Sequence, residues 1–307
     1  MTTISSTAVL EIQIQCPPVL ASYLQELLWT LDGVVSVGEI YDTTRPDDET
    51  RPSDLTHVNV FTTNPLGEDL VKVLMVENPK LMKVCDITKT HWVEEKDWAE
   101  SWKQHWHPTP VTPRLTICPT WEEYTPATPE ETVIYLDPEC AFGTGTHETT
   151  QLMLKTLEEF ADQRDFSHMN IMDVGTGSGI LAIYAAKRGC RDIRGLDNDP
   201  IAVKTAAQNA KINMMDSFID FTDTSLGELC QTRYNLILAN IIAPVILELF
   251  PEMLLRLKPG GTLIASGLIE TSVGKVEAVM QEAGFTDFKR SQQGDWFVLS
   301  GIAPASA

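Results

Sequence analysis

Hydrophobic and polar positions along the first hundred residues switch between two periods. "AVLEIQIQC", residues 8–16, alternates every second position and predicts a strand. "PPVLASYLQELLWTLDG" opens on prolines, places Leu20, Leu24, Leu27, Leu28 and Leu31 at helical spacing, and stops at Gly33. "VVSVGEIYD" predicts a second strand, and "TTRPDDETRPSD" is a surface loop by composition. A third strand in "LTHVNVFTT", a helix in "LGEDLVKVLMVEN" and a fourth strand in "LMKVCDITKTHWV" complete the order β-α-β-β-α-β. That order is that of a ferredoxin-like α+β unit, assigned to residues 1–95. Such a unit hosts many binding roles and names no function by itself.

"EEKDWAESWKQHWHPTPVTP" follows, a short helical pattern broken by Pro108, Pro110 and Pro113. It places an interdomain linker at 96–114. Five of the seven tryptophans (Trp92, Trp98, Trp102, Trp106 and Trp121) fall in or beside it, which argues against a floppy tether. They either pack one domain on the other or form an aromatic surface for a protein partner.

From Leu115 to the end, residues 115–307, the pattern changes again. Two short extended stretches, "RLTICPTW" and "TVIYLDP", lead into strands and helices that alternate: "NIMDVG", "GILAIYAAKRG", "DIRGLD", "PIAVKTAAQNAKIN" and onward through "YNLILAN" and "TLIASGLI". This alternation predicts a parallel sheet covered on both faces. The last segments, "DFKRSQQGDWFVLSGIA", read as two strands joined directly, so they must pair antiparallel. An α/β domain with a doubly wound sheet ending in an antiparallel pair is the expected architecture.

Composition narrows the classes without naming one. The 307 residues suit two ordinary domains, and 43% apolar content supplies real cores. No apolar run approaches a membrane span, and the N-terminus lacks the features of a signal peptide. The six cysteines show no CxxC spacing and no cluster with histidine, so no metal site is expected and a cytoplasmic location fits. A formal charge of −20 disfavours broad nucleic-acid binding and would attract a basic protein partner.

The candidate chemistry lies at the strand ends of the second domain. "IMDV" runs into Gly175-Thr-Gly177-Ser-Gly179, whose glycines let backbone approach a ligand before a helix offers its free N–H groups. The spacing is G-x-G-x-G, not the dinucleotide G-x-G-x-x-G, and Asp173 precedes it. A pyrophosphate is repelled by that carboxylate, whereas a cationic sulfonium ligand with a free amino group tolerates it. Asp197 ends the next strand, where a carboxylate can accept both hydroxyls of a ribose. Asp199 is the expected cap of the helix opened by Pro200. Asn240 ends "YNLILAN", and its carboxamide either faces the ligand or an incoming nucleophile or ties the strand end to the next helix.

"DVGTGSGILAI", "GLDNDP", "LILAN" and "LKPGGTLIASGLI" resemble the class I S-adenosylmethionine-dependent methyltransferases, a seven-stranded Rossmann-like fold. "LDPECAFGTGTHETTQLML", with the upstream "DWAESWKQHWHPTPVTPRLTICPTW", resembles one family among them over essentially the whole chain, the bacterial ribosomal protein L-eleven methyltransferases (PrmA). The resemblance implies S-adenosylmethionine as cofactor, lined by Thr150, Gly175, Asp197 and Asn240, with Phe142 beside it. It implies as substrate a large-subunit ribosomal protein, L-eleven, methylated at lysine side chains and its N-terminal amine and held by the N-terminal domain. On this reading Gly143 and Gly145 wrap the methionine end of the cofactor, and Thr149 and Thr150 open the following helix. His147 reads as a capping or packing residue, with a role as base the alternative. Methyl transfer needs neither metal nor nucleophile, so no catalytic residue is assigned and a monomer is expected. A nucleic-acid methyltransferase commonly carries Asn-Pro-Pro-aromatic where this chain has "NIIA". A small-molecule methyltransferase and a non-catalytic S-adenosylmethionine-binding regulator are the other readings.

Overall fold

The computed structural model describes residues 8–40, 55–94, 106–137, 145, 147–229 and 232–305. The expected surface loop at 43–54, Trp98, Trp102, Phe142 and Gly143 lie outside these. The chain divides into two compact units, Met1–His105 and Trp106–Ala307.

In the first unit, β1 (Ala8–Cys16), β2 (Val34–Ile40), β3 (Thr56–Thr62) and β4 (Asp86–Glu94) form one antiparallel sheet in the order β2-β3-β1-β4. Helices α1 (Pro18–Leu28) and α2 (Gly67–Glu77) make the two crossovers, which is the split βαβ arrangement. Leu10, Ile12, Ile14 and Cys16 recur every second position on one face of β1 and join Ala21, Leu24 and Leu28 of α1 and Val71 and Leu74 of α2 in a single core. The fourth strand starts later than its apolar pattern predicts. Pro79 opens a helical turn, α3 (Pro79–Met82), that buries Leu81, and pairing begins only at Asp86.

The second unit is built on a seven-stranded sheet in the order β10-β9-β8-β11-β12-β14-β13. Its strands are β8 (Asn170–Val174), β9 (Asp192–Leu196), β10 (Ile219–Thr222), β11 (Tyr234–Asn240), β12 (Leu257–Ile269), β13 (Thr286–Gln293) and β14 (Trp296–Ile302). β14 runs antiparallel to both its neighbours, and the pairs from β10 to β12 are parallel. The helices are α4 (Glu148–Asp162), α5 (Ile180–Lys187), α6 (Pro200–Ile212), α7 (Ala243–Arg256) and α8 (Glu270–Glu282). Every residue of α5 from Ile180 to Ala186 is buried, as an all-apolar helix requires. No helix among the described residues is long and apolar enough to cross a membrane.

A separate three-stranded sheet precedes α4: β5 (Thr109–Thr112), antiparallel to β6 (Leu115–Pro119), which is parallel to β7 (Thr132–Leu136). Residues 109–112 read as linker in the sequence because prolines surround them. Pro110 is accommodated because β5 is an edge strand, where a missing N–H costs no ladder bond. Trp106, nearly fully buried, meets the ring of Trp121 edge-on at 5.4 Å. At the β5–β6 turn Arg114 donates to Asp162 of α4, and Arg188 after α5 donates to the same carboxylate. The two guanidinium groups hold that carboxyl down at about 2.

These contacts make residues 106–114 part of the second unit's stability. A fragment beginning at Trp106 is expected to melt cooperatively. One beginning at Leu115 loses the Arg114 bridge and the burial of Trp106 and Val111, the lost burial alone costing about 2–4 kcal/mol. Circular-dichroism melts compare the two, and equal melting temperatures would refute this account of β5.

Candidate cofactor-binding site

Strand order reverses between β8 and β11, and open α/β sheets bind ligands at the carboxyl ends beside such a reversal. The register sets Val174 opposite Leu196 of β9 on one side and Ala239 of β11 on the other. The next residue on each strand is Gly175, Asp197 and Asn240. Three of the four residues singled out from the sequence therefore stand at neighbouring strand ends.

The turn after β8 depends on glycine. Gly175, Gly177 and Gly179 have φ values of 70°, 53° and 81°, which side-chain-bearing residues adopt only at a cost. A Cβ on Gly175 would also collide with Cγ2 of Ile241. The turn's Gly177 N–H donates to Asp197 Oδ2 at 2.9 Å, and the Asp199 N–H donates to Oδ1 at 3.1 Å. Burial raises the Asp197 carboxyl above its usual range, and these N–H groups oppose the rise. Each oxygen keeps accepting capacity after one such bond. Asp199 has the separate role its place before Pro200 predicts, accepting the Ile201 N–H at 2.8 Å as the cap of α6.

Asp173 lies directly beneath this turn and is fully buried. Thr176 Oγ1 donates to its Oδ2 at 2.7 Å, while Oδ1 makes no hydrogen bond of normal geometry among the described residues. Burial pushes the carboxyl up to about 7 against the pull of Thr176 and the Ala182 N–H.

Thr150, in the first turn of α4, joins the group from the other side. It is completely buried, and its Oγ1 accepts from Asn240 Nδ2 at 3.3 Å. Asn240 Oδ1 is buried and has no partner among the described residues. His147 is the N-cap of α4: its Nδ1 accepts the Thr149 N–H at 3.3 Å and lies 2.8 Å from Thr149 Oγ1. Its ring meets Trp296 edge-on at 5.1 Å. Burial holds the imidazole down at about 4, so it is neutral and committed to the cap, not placed to act as a base at neutral pH. Gly145, with φ of 83°, is fitted so closely that a side chain there would run into Cδ1 of Ile117.

Several supports of the site escape sequence reasoning. Ile241 is wedged between two glycines, Gly175 and Gly267, and a Cβ on Gly267 would strike the Ile241 carbonyl. Gly267 at φ 84° in the middle of the apolar run "ASGLI" is the signal for this close approach. Thr176 is given no role by the sequence, and its hydroxyl donates to Asp173 Oδ2.

A mostly parallel seven-stranded sheet with one antiparallel inner strand, and a glycine turn and acidic strand end at its switch point, is the Rossmann-like fold of class I methyltransferases. Residues 10–303 match the family described as "Ribosomal protein L11 methyltransferase (PrmA)", and the chain belongs to that family. Proteins named ribosomal protein L11 methyltransferase from Bacillus cereus (strain ATCC 10987 / NRS 248) and Bacillus anthracis (strain CDC 684 / NRRL 3495) are each 43% identical over 208 residues. Those alignments span 67% of this chain and 65% of the relatives' length. A crystal structure of a ribosomal protein L11 methylase from Lactobacillus delbrueckii subsp. bulgaricus is similar with a TM-score of 0.59 and 32% identity, covering 65% of this chain and all of that one.

The cap makes a pH prediction. His147 has a folded pKa of about 4, below its ordinary value of 6.5, so the unfolded chain binds the extra proton between those pH values. The stability this site contributes is complete above pH 6.5 and is lost as pH falls toward 4. His147→Asn keeps a capping oxygen but does not titrate, and it should flatten the fall in melting temperature between pH 6.5 and 4. Identical slopes in wild type and variant would show that the ring is not buried as described.

Proposed function

We propose that this chain transfers methyl groups from S-adenosylmethionine to lysine side-chain and N-terminal amines of the large-subunit ribosomal protein L11, as a monomer in the cytoplasm. The observation that carries the reading is the convergence of Gly175, Asp197, Asn240 and Thr150 at the switch point of a chain in this family. The residues fit the cofactor. Asp197 retains accepting capacity on both oxygens and takes the ribose hydroxyls. Among the described residues Asp173 Oδ1 and Asn240 Oδ1 are buried acceptors without a hydrogen bond of normal geometry, a demand that a cationic ligand bearing N–H groups satisfies and a pyrophosphate does not. The turn at Gly175–Gly179 presents bare backbone to the ligand.

S-adenosylmethionine supplies an electrophilic methyl group on a sulfonium. The chain's task is orientation and exclusion of water around an uncharged amine, which needs no nucleophile from the protein. Asn240, pinned by Thr150, is aligned to face the ligand or the incoming amine. The N-terminal unit, built on a fold common among binding modules, holds the protein substrate, and the charge of −20 favours a basic one. Family membership favours protein amines over nucleic-acid or small-molecule acceptors.

Two measurements test this. Incubation with labelled S-adenosylmethionine should place label on L11 and not on RNA or a metabolite extract, and label only on the latter two would reject the substrate. Asp197→Ala should weaken S-adenosylmethionine by about 2–3 kcal/mol in calorimetry, the scale of a lost charge-assisted pair.

A second comparison isolates Thr150. Thr150→Val removes the acceptor for Asn240 Nδ2 and should reduce cofactor affinity or turnover by about tenfold. Thr156→Val, on the same helix but with no contact to Asn240 in its hydrogen bonds, should change neither by more than about twofold. Equal behaviour of the two variants would remove Thr150 from the site.

A further inference from the structure

Two asparagines, Asn209 in the last turn of α6 and Asn213 at its C-cap, hold main chain that belongs to another part of the unit. Asn213 Oδ1 accepts the Tyr135 N–H at 3.0 Å, and its Nδ2 donates back to the Tyr135 carbonyl at 2.6 Å. Asn209 Oδ1 accepts the Asp137 N–H at 2.9 Å, and its Nδ2 donates to the carbonyl of Ser178 at 2.9 Å. Both side chains are buried. The match is geometric. Residues four apart in a helix are separated by about 6 Å along its axis, and residues two apart in a strand by about 6.6 Å. Tyr135 and Asp137 turn their N–H groups to the same side, the side of β7 that β6 does not occupy. The carboxamides complete that edge as a neighbouring strand would.

The two asparagines differ in what they join. Asn213 ties the end of α6 to Tyr135, and its Nδ2 also donates to the Asn209 carbonyl at 2.8 Å, a matter of holding the small sheet and the helix end. Asn209 links three things: α6, the Ser178 carbonyl inside the glycine-rich turn, and Asp137, the residue from which the first glycine-rich stretch departs. His147, ten residues after Asp137 in the sequence, caps α4 and leads through Thr149 to Thr150 and Asn240. A buried carboxamide with both ends engaged has one orientation, so the spacing of its two partners is fixed.

We propose that Asn209 is a positioning residue for the cofactor site, holding the Gly175–Gly179 turn in a fixed relation to α6 and to the main chain at Asp137. This rests on the proposed use of S-adenosylmethionine. Asn209→Leu removes both bonds at similar volume. Asn209→Asp keeps the acceptor for the Asp137 N–H and loses the donor to Ser178. Asn213→Leu is the control, since it removes a comparable buried pair without touching the turn.

The test is calorimetric binding of S-adenosylhomocysteine to the full chain, read beside the melting temperature of each variant and the KM-against-kcat split for S-adenosylmethionine. Asn209→Leu and Asn209→Asp should raise Kd and KM by about tenfold or more with a smaller effect on kcat. Asn213→Leu should lower the melting temperature as much while leaving Kd within about twofold of wild type. Wild-type affinity in the Asn209 variants, or weakening in all three in proportion to lost stability, overturns the positioning role. If Asn209→Leu does not fold, Asn209→Asp decides alone. Absence of binding by the wild type is a different result: it defeats the cofactor reading itself, and the positioning role falls with it.

Discussion

A carboxylate taken wholly out of water must be answered by donors, or it will give up its charge. Asp173 meets both fates part-way, and the crevice is arranged around that compromise. The Thr176 hydroxyl turns inward to it, which requires a turn tight enough to fold back over the end of β8. Such a turn forces three backbone positions to positive φ, and only glycine takes these without strain. The first of these glycines, Gly175, also leaves the space into which Ile241 packs, the residue that follows Asn240. One oxygen of Asp173 makes no hydrogen bond of normal geometry among the described residues, and its carboxyl, pushed up to about 7, sits at the boundary between its two forms near neutrality. That acceptor lies at the strand end where a cationic ligand is proposed to bind.

The opposite ends of the same strands show what a crevice without such a demand looks like. Asn170 and Asn235 accept one another's backbone N–H groups across β8 and β11, at 3.0 and 3.3 Å. Lys258 Nζ closes the group by donating to both carboxamide oxygens. Every oxygen there is satisfied by the chain itself. The amino ends of the sheet are stitched shut, and the carboxyl ends are left with capacity to spare. Stability and ligand chemistry are thereby separated along the length of two strands, each only a few residues long.

What could be read from the sequence follows from which features are local. The parallel strands announce themselves as unbroken apolar runs such as Leu236–Ala239, and Asp199-Pro200 marks a helix start by residue type alone. Gly175, Gly177 and Gly179 are legible because the φ values they adopt exclude other residues. Strand β5 was not, since Pro110 is a breaker everywhere except at an edge, and edge status depends on which strands pair. The helical turn at Pro79–Met82 hid inside an apolar stretch whose period is too short to distinguish strand from helix. Asn209 gave no signal because its partners lie tens of residues away. A carboxamide's importance here comes from main chain it meets only after folding.

The inner position of β14 has a consequence for how the molecule comes together in time. It lies between β12 and β13, both of which precede it in the chain, so the order of synthesis is not the order of neighbours. Until β14 arrives, β12 and β13 have no ladder with each other, and the Leu263–Ile269 run, buried in the finished sheet, has an open flank. Sheets that wait on distant segments assemble slowly and leave sticky edges while they wait. Trp296 also rides on that strand, against His147 at the head of α4, so the latecomer both closes the sheet and secures one wall of the crevice. For a newly made chain, completing the architecture and acquiring a finished site are one event.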